Sequence, residues 1–309
     1  MPIERAWRLA LTLALVTACD KSRHEAPAPP APVPPPSQPK ATTCNLVPIP
    51  LNVGLSPKRM VAIGDLHGDV AAARSALKAA GAIDDNDHWI GKDLVLVQTG
   101  DILDRGDGES QIIDLLAKLS VEAKAAGGAV VQLIGNHELM NAAHDWRYVT
   151  RGGMQDFGGD RAKAVLPGGT YAKRFAQHNV VEIVGDTVFS HAGVLPDWVT
   201  VLDKTNLDTR CWLDGQVQEP SPALTSDDSP VWTRAWGRPD EVDCAMLDGV
   251  LAKLGVKRMV VGHTPQEKGI TSSCDGKLWR IDVGLSTAYG GPIQALEVLP
   301  EPRVLSGTR

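Results

Sequence analysis

The feature that most constrains this chain is a repeated junction, in which a short apolar run ends in a small residue and a cluster of Asp, His, Asn or Arg. Met60–Gly64 leads into Gly64-Asp65-Leu66-His67-Gly68-Asp69, and Asp93–Thr99 into Gly100-Asp101-Ile102-Leu103-Asp104-Arg105-Gly106. Ala129–Ile134 leads into Gly135-Asn136-His137-Glu138. Later runs end in Ser190-His191-Ala192-Gly193 and Gly262-His263-Thr264. Short runs rich in Val, Ile and Leu read as buried strands. In open α/β sheets, ligands bind beyond the carboxyl ends of the strands. Five strand ends here send polar side chains to one such rim, and the glycines let the backbone turn sharply and a ligand approach closely.

Helical signals lie between the runs. Asp69 is placed to cap an Ala-rich helix that reaches Ala80 and stops at Gly81. Glu109–Ala126 carries apolar residues at 112, 113, 115, 116, 119 and 123, a helical stripe that ends at Gly127-Gly128. Val180–Phe189, broken at Gly185-Asp186, reads as a hairpin. Arg258–Val261 and Leu278–Val283 read as further strands. Strand–helix alternation predicts an α/β fold with a parallel or mixed sheet and helices outside. Asp203–Asp240, rich in Pro, Ser and Asp, reads as a long loop or insertion.

The junctions define a donor set: Asp65, His67, Asp101, Asn136, His191 and His263. It offers oxygen and imidazole nitrogen but no sulfur, which suits Mn, Fe or Zn in five- or six-coordinate sites. A carboxylate such as Asp101 can bridge two metals roughly 3.5–4 Å apart, the arrangement used for in-line displacement at phosphorus. One Asp-x-His after a strand is usually structural. Five such junctions in order, each at a strand end, are not explained that way.

GDLHGD, GDILDRG, GNHE, SHAG and GHT together resemble the calcineurin-like metallophosphoesterases. The Arg of the second motif and the GNHE form resemble the phosphoprotein phosphatase branch. Met140-Asn141, Trp146-Arg147-Tyr148-Val149, Pro230-Val231-Trp232-Thr233-Arg234 and Asp282-Val283-Gly284 are most similar to the Shewanella-like protein phosphatases. The resemblance covers about Met60 to Glu297. It implies a central β-sandwich flanked by α-helices, with Asp65 and His67 on one metal, Asp101 bridging, and Asn136, His191 and His263 on a second. It further implies direct attack by a metal-bridging hydroxide. His137 is then the general acid, Asp104 orients its imidazole, and Arg105 clamps the phosphate. Arg234 is the candidate for a second phosphate-binding arginine, with Arg147 as runner-up.

The expected reaction is hydrolysis of phosphate monoesters on phosphorylated protein side chains, with two divalent metals, Mn first and Fe or Zn as alternatives. Hydrolysis of dinucleoside polyphosphates or other small phosphoesters is the rival enzymatic reading. A non-catalytic, metal-stabilised binding lipoprotein is a rival of another class. Intact His137, Asp104 and Arg105 weigh against it, because metal binding alone needs none of them. His88, His144 and His178 lie outside the motifs and read as surface or structural residues. Trp232, Trp236 and Tyr289 read as core, with a substrate groove as the alternative.

The N-terminus addresses the compartment. Arg5 and Arg8 precede a short apolar stretch, Leu9–Val16, too short to span ~30 Å of hydrocarbon. This is a secretion-signal pattern. Val16-Thr17-Ala18-Cys19 resembles a lipobox, which implies a signal peptide over 1–18 and a lipid on Cys19. The alternative is an ordinary cleaved signal with an incidental cysteine. Asp20 resembles an inner-membrane retention signal, so the expectation is a periplasmic lipoprotein anchored to the inner membrane. Residues 19–44 carry Pro at 27, 29, 30, 32, 34, 35, 36 and 39 and read as an extended linker before a catalytic domain over 45–309. Cys44, Cys211, Cys244 and Cys274 remain, enough for two disulfides in an oxidising compartment, with three possible pairings. A formal charge of −6 and the lack of any basic run argue against nucleic-acid partners.

Overall fold

The computed structural model describes residues 43–309. The expected signal peptide, the expected lipid site Cys19 and nearly all of the expected linker lie outside the described residues. In chain order the elements are β1 (Met60–Ile63), α1 (Val70–Ala79), β2 (Val95–Gln98), α2 (Glu109–Ala125), β3 (Ala129–Gln132), α3 (Asn136–Ala142), α4 (Arg161–Val165) and α5 (Ala172–Phe175). There follow β4 (Val181–Val184), β5 (Thr187–Ser190), α6 (Leu202–Leu213), α7 (Pro222–Thr225), α8 (Cys244–Leu254), β6 (Arg258–Val261), β7 (Thr271–Ser273), β8 (Leu278–Arg280), β9 (Gln294–Leu299) and β10 (Arg303–Ser306).

Two mixed five-stranded sheets form, ordered β10-β9-β1-β2-β3 and β4-β5-β6-β8-β7. β1, β2 and β3 are parallel, as are β5, β6 and β8, so their carboxyl ends share a direction within each sheet. The outer strands β10, β4 and β7 pair antiparallel to their neighbours.

Burial of the apolar strands on both faces makes the sandwich. Successive strand residues point to opposite faces. In β1, Met60 and Ala62 enter the smaller core with Val97 of β2 and Phe189 and Val260 of the other sheet. Val61 and Ile63 face the larger core, which holds the buried sides of α1 and α2. β6 divides likewise, with Val260 in one core and Met259 and Val261 in the other. The predicted β-sandwich with flanking helices is the observed architecture.

Local signals work as read in the first half. The Asp69 carboxylate accepts from Ala72 N at 2.9 Å and caps α1, which buries Ala72, Ala73, Ala76 and Leu77 on one stripe. α2 buries Ile112, Ile113, Leu116 and Leu119. Each such side chain contributes roughly 1.5–3 kcal/mol when fully buried. β4 and β5 form the predicted hairpin.

Asp203–Asp240 corrects the sequence reading. Its first part is not a loop but most of α6, whose buried face includes Thr205, Asn206, Thr209 and Arg210. Asn206 Oδ1 accepts from Val180 N at 3.0 Å and Val181 N at 3.2 Å, and Arg210 Nε donates to Ala176 O at 2.8 Å. A polar stripe packs here because its groups bind neighbouring backbone.

The disulfides are Cys44–Cys211 and Cys244–Cys274, one of the three pairings left open. The first ties Cys44 to α6.

Glu182 in β4 is 5% exposed, and burial pushes its carboxyl up to about 8, with Arg210 opposing. Between the ordinary carboxylate range and pH 8 the folded chain therefore holds a proton that the unfolded chain releases. Stability falls as pH rises through this window. Glu182→Gln should flatten that slope in urea titrations between pH 5 and 8 and stabilise the protein at pH 7 by up to about 3 kcal/mol.

Candidate metal centre and active site

All six candidate ligands arrive where the carboxyl ends of both sheets meet. β1 leads to Asp65 and His67, β2 to Asp101, β3 to Asn136, β5 to His191 and β6 to His263. Each of the six is at most 7% exposed. The turns are tight: His67, Asp101, Asp104, Arg105 and His263 have φ of 46, 57, 69, 65 and 68°. Non-glycine residues in this region cost on the order of 1–3 kcal/mol each. Gly135 has to be glycine, since a Cβ there would overlap the Asp101 carboxylate.

Backbone partners set the imidazoles. His67 Nδ1 donates to Leu103 O at 2.9 Å and His191 Nδ1 donates to Thr99 O at 2.9 Å. Each bond leaves the Nε2 lone pair facing the cluster, 3.9 and 3.3 Å from Asp101 Oδ2. Asn136 Oδ1 lies 2.9 Å from His191 Nε2 and 3.0 Å from His263 Nδ1. The Asp65 oxygens accept from His263 N at 3.2 and 3.3 Å.

Electrostatics separate the groups. Burial pushes His67 down to about 4 and His263 down to about 3, which keeps both neutral and able to ligate. Burial opposes ionisation of Asp101, but the imidazoles of His191, His137 and His67 overcome it and hold the carboxyl well below its usual range. Burial and the carboxylates of Asp282 and Asp101 push Asp65 well up. Burial and Asp101 push Asp282 up to about 6. Three buried carboxylates in one place call for a cation.

The donor set fits divalent metal. His67, Asp101 and His137 form one group of converging donor atoms, and Asp101, His191 and His263 another. His263 Nδ1 is the ring nitrogen that faces the other donors, 3.0 Å from Asn136 Oδ1 and 3.2 Å from His191 Nε2, a convergence of lone-pair atoms that a cation would satisfy.

Beside the cluster, His137 Nδ1 meets Asp104 Oδ2 at 2.5 Å. Its Nε2 lies 3.8 Å from Asp101 Oδ2. Burial opposes protonation of His137, but Asp101 and Asp104 win and raise it above the ordinary histidine value. The Arg105 guanidinium stands 4.5 Å from the Tyr148 ring centroid and 5.0 Å from that of Tyr289, with Nε buried and unpartnered. A cavity of about 250 Å³ joins these groups, lined by His67, Asp101, Arg105, Asn136, His137, Tyr148, Trp232, Arg234, His263, Pro265 and Tyr289. The structure brings Arg234 to this cavity, where Nη1 donates to Thr264 Oγ1 at 3.3 Å. It does not bring Arg147, which pairs with Asp145 at 2.7 Å outside the cavity. Trp236 is fully buried core, whereas Trp232 and Tyr289 line the cavity.

Sequence reasoning missed two groups here. Asp282 was visible only as part of a resembling segment. Glu138 was visible only as the last letter of GNHE. Its buried carboxylate accepts from Asp101 N and Ile102 N at 2.9 Å, Leu103 N at 3.1 Å and Gly135 N at 2.8 Å.

This rim of metal donors on a double sheet is a metallophosphoesterase site. The chain belongs to the calcineurin-like phosphoesterase family, whose model matches residues 58–267. Members work with a binuclear metal centre, and the buried His and Asp donors that converge around Asp101 are the groups here that could hold metal. Among its relatives is Shewanella-like protein phosphatase 2 of Arabidopsis thaliana, 38% identical over 82% of this chain and 77% of that protein. Shewanella-like protein phosphatase 1 of Plasmodium berghei is 32% identical over 76% of this chain and 69% of that one. Among solved structures, the cold-active protein-tyrosine phosphatase of a psychrophilic Shewanella superposes with a TM-score of 0.70 at 26% identity, covering 83% of this chain and 82% of that one.

Glu138→Ala should strand four buried N–H groups. At about 1–3 kcal/mol for each unsatisfied group, the urea midpoint should drop by an amount worth at least about 3 kcal/mol. An unchanged midpoint would show that the turns hold without it.

Proposed function

We propose that this enzyme hydrolyses phosphate monoesters on phosphorylated protein side chains. The observation that carries the reading is the His137–Asp104 pair and two arginines, Arg105 and Arg234, around one cavity beside the metal-donor cluster. Asp65, His67, Asp101, Asn136, His191 and His263 would hold two divalent metals, Mn first, with Fe or Zn as alternatives. When bound, these ions supply a water acidic enough to ionise near neutral pH and positive charge for the phosphate oxygens.

The chain's own residues do the rest. Arg105, held between two tyrosine rings, and Arg234 bind the phosphate oxygens and orient the ester. His137, held at Nδ1 by Asp104, presents Nε2–H to the leaving oxygen and gives up its proton as the P–O bond breaks. The rings of Tyr148, Trp232 and Tyr289 offer an apolar wall that covers an aryl leaving group better than an alkyl one. The names of the relatives, protein phosphatases and a protein-tyrosine phosphatase, support a phosphoprotein substrate.

The full chain, stripped and reloaded with Mn²⁺, should release phosphate from phosphotyrosine peptides faster than from matched phosphoserine peptides. Asp101→Asn should abolish both. His137→Asn should bind two metals yet lose roughly 10²–10⁴-fold in kcat. Loss of one metal in that variant would make His137 a ligand instead. Turnover of diadenosine tetraphosphate alone would replace the protein-phosphatase reading.

The same proposal puts the enzyme outside the cytoplasm, at the inner membrane through lipid on Cys19. The two disulfides support it, because such bonds persist in oxidising compartments. Expressed in a bacterium, the wild-type chain should fractionate with membranes and Cys19→Ser should not. Equal fractionation would rule out the lipid.

A further inference from the structure

Behind the cavity lies a buried polar cluster that metal binding does not require. Arg161 is 2% exposed and Asp104, Glu109 and Asn141 are fully buried. Every guanidinium nitrogen of Arg161 is engaged. Nε and Nη2 donate to Asn141 Oδ1 at 2.9 and 2.7 Å, and Nη1 donates to Gly153 O at 3.0 Å. Nη2 reaches Glu109 Oε1 at 3.0 Å and Asp104 Oδ1 at 3.4 Å, while Nη1 donates to Glu109 Oε2.

These contacts fix Asp104 from two sides. Because Asn141 Oδ1 is taken by Arg161, its Nδ2 must face the other way, where it donates to Asp104 Oδ1 at 2.9 Å and to His137 O at 2.9 Å. Glu109, gripped by the guanidinium, accepts from Asp104 N at 2.5 Å. The remaining oxygen, Asp104 Oδ2, is the one that holds His137 Nδ1.

We propose that Arg161 is a positioning residue for proton delivery: its buried guanidinium, anchored on Glu109, orients Asn141 and Asp104 and through them aims His137 Nε2 at the ester oxygen. The inference rests on the phosphatase reading. In the step concerned, an oxygen from water bonds to phosphorus and the P–O bond to the leaving group breaks with its electron pair on the ester oxygen. The proton from His137 Nε2 passes to that oxygen. A planar fork with fixed donors suits this task, and a lysine, a point charge on a flexible stem, reproduces it only in part.

The test compares two aryl esters. The nitro groups of 2,4-dinitrophenyl phosphate let its phenolate depart without a proton, whereas phenyl phosphate needs one. With the full chain loaded with Mn²⁺, kcat/KM is measured on both esters for wild type, Arg161→Met, Arg161→Lys and His137→Asn, with metal content determined for each. Arg161→Met should raise the dinitrophenyl-to-phenyl ratio at least about tenfold, in the direction of His137→Asn, at wild-type metal content. Arg161→Lys should raise it less, and it carries the test should the methionine variant not fold. An unchanged ratio, even with both rates reduced, would make Arg161 a support of the fold and overturn the proposal. A wild-type chain that hydrolyses neither ester sinks the phosphatase reading and this one with it. Turnover of both esters with a fixed ratio across the Arg161 variants sinks this one alone.

Discussion

Glu138 holds the site together. One buried carboxylate collects the N–H groups of Asp101, Ile102, Leu103 and Gly135, and so joins the turn after β2 to the turn after β3. The turn after β2 carries Asp101 and passes through Asp104 and Arg105, all three at positive φ. Such a backbone persists only where its surroundings over-determine it. The consequence is preorganisation: Asp101, Asp104 and Arg105 sit in fixed relation to one another.

Around that anchor the charges are layered. Of three neighbouring buried carboxylates, Asp65, Asp101 and Asp282, Asp101 lines the cavity, and Arg105 and Arg234 line it as well. His137 lines it too, held to Asp104, which in turn leans on Arg161. The cavity suits a phosphate ester only where metal charge offsets those carboxylates, which ties substrate binding to metal binding.

The first half of the fold and the donor set were legible because two signals coincide there. Each of β1, β2 and β3 is a buried apolar run, and each ends in residues whose chemistry has few structural uses. α6 was not legible, because periodicity counts Thr205, Asn206, Thr209 and Arg210 as solvent-facing, whereas they are buried by bonding to backbone. Arg161 carries no motif at all, and its partners Glu109 and Asp104 stand 52 and 57 positions away in sequence. The cysteine pairing likewise depended on where α6 lies. Of the two exposed arginines weighed, Arg234 lines the cavity, whereas Arg147 pairs with Asp145 outside it, a placement that the sequence alone does not give.

The Cys44–Cys211 bridge also defines a load path. Tension on the chain preceding Cys44 passes through the bridge into α6, not along residues 45–59 into β1. Those intervening residues are moored to the second sheet side as well, with Val53 N donating to Ile183 O at 3.2 Å and Leu51 N to Asp203 Oδ1 at 3.2 Å. β1, whose end bears Asp65 and His67, is thereby mechanically shielded, and a pull from the N-terminal side is taken up by a helix that carries none of the six candidate ligands.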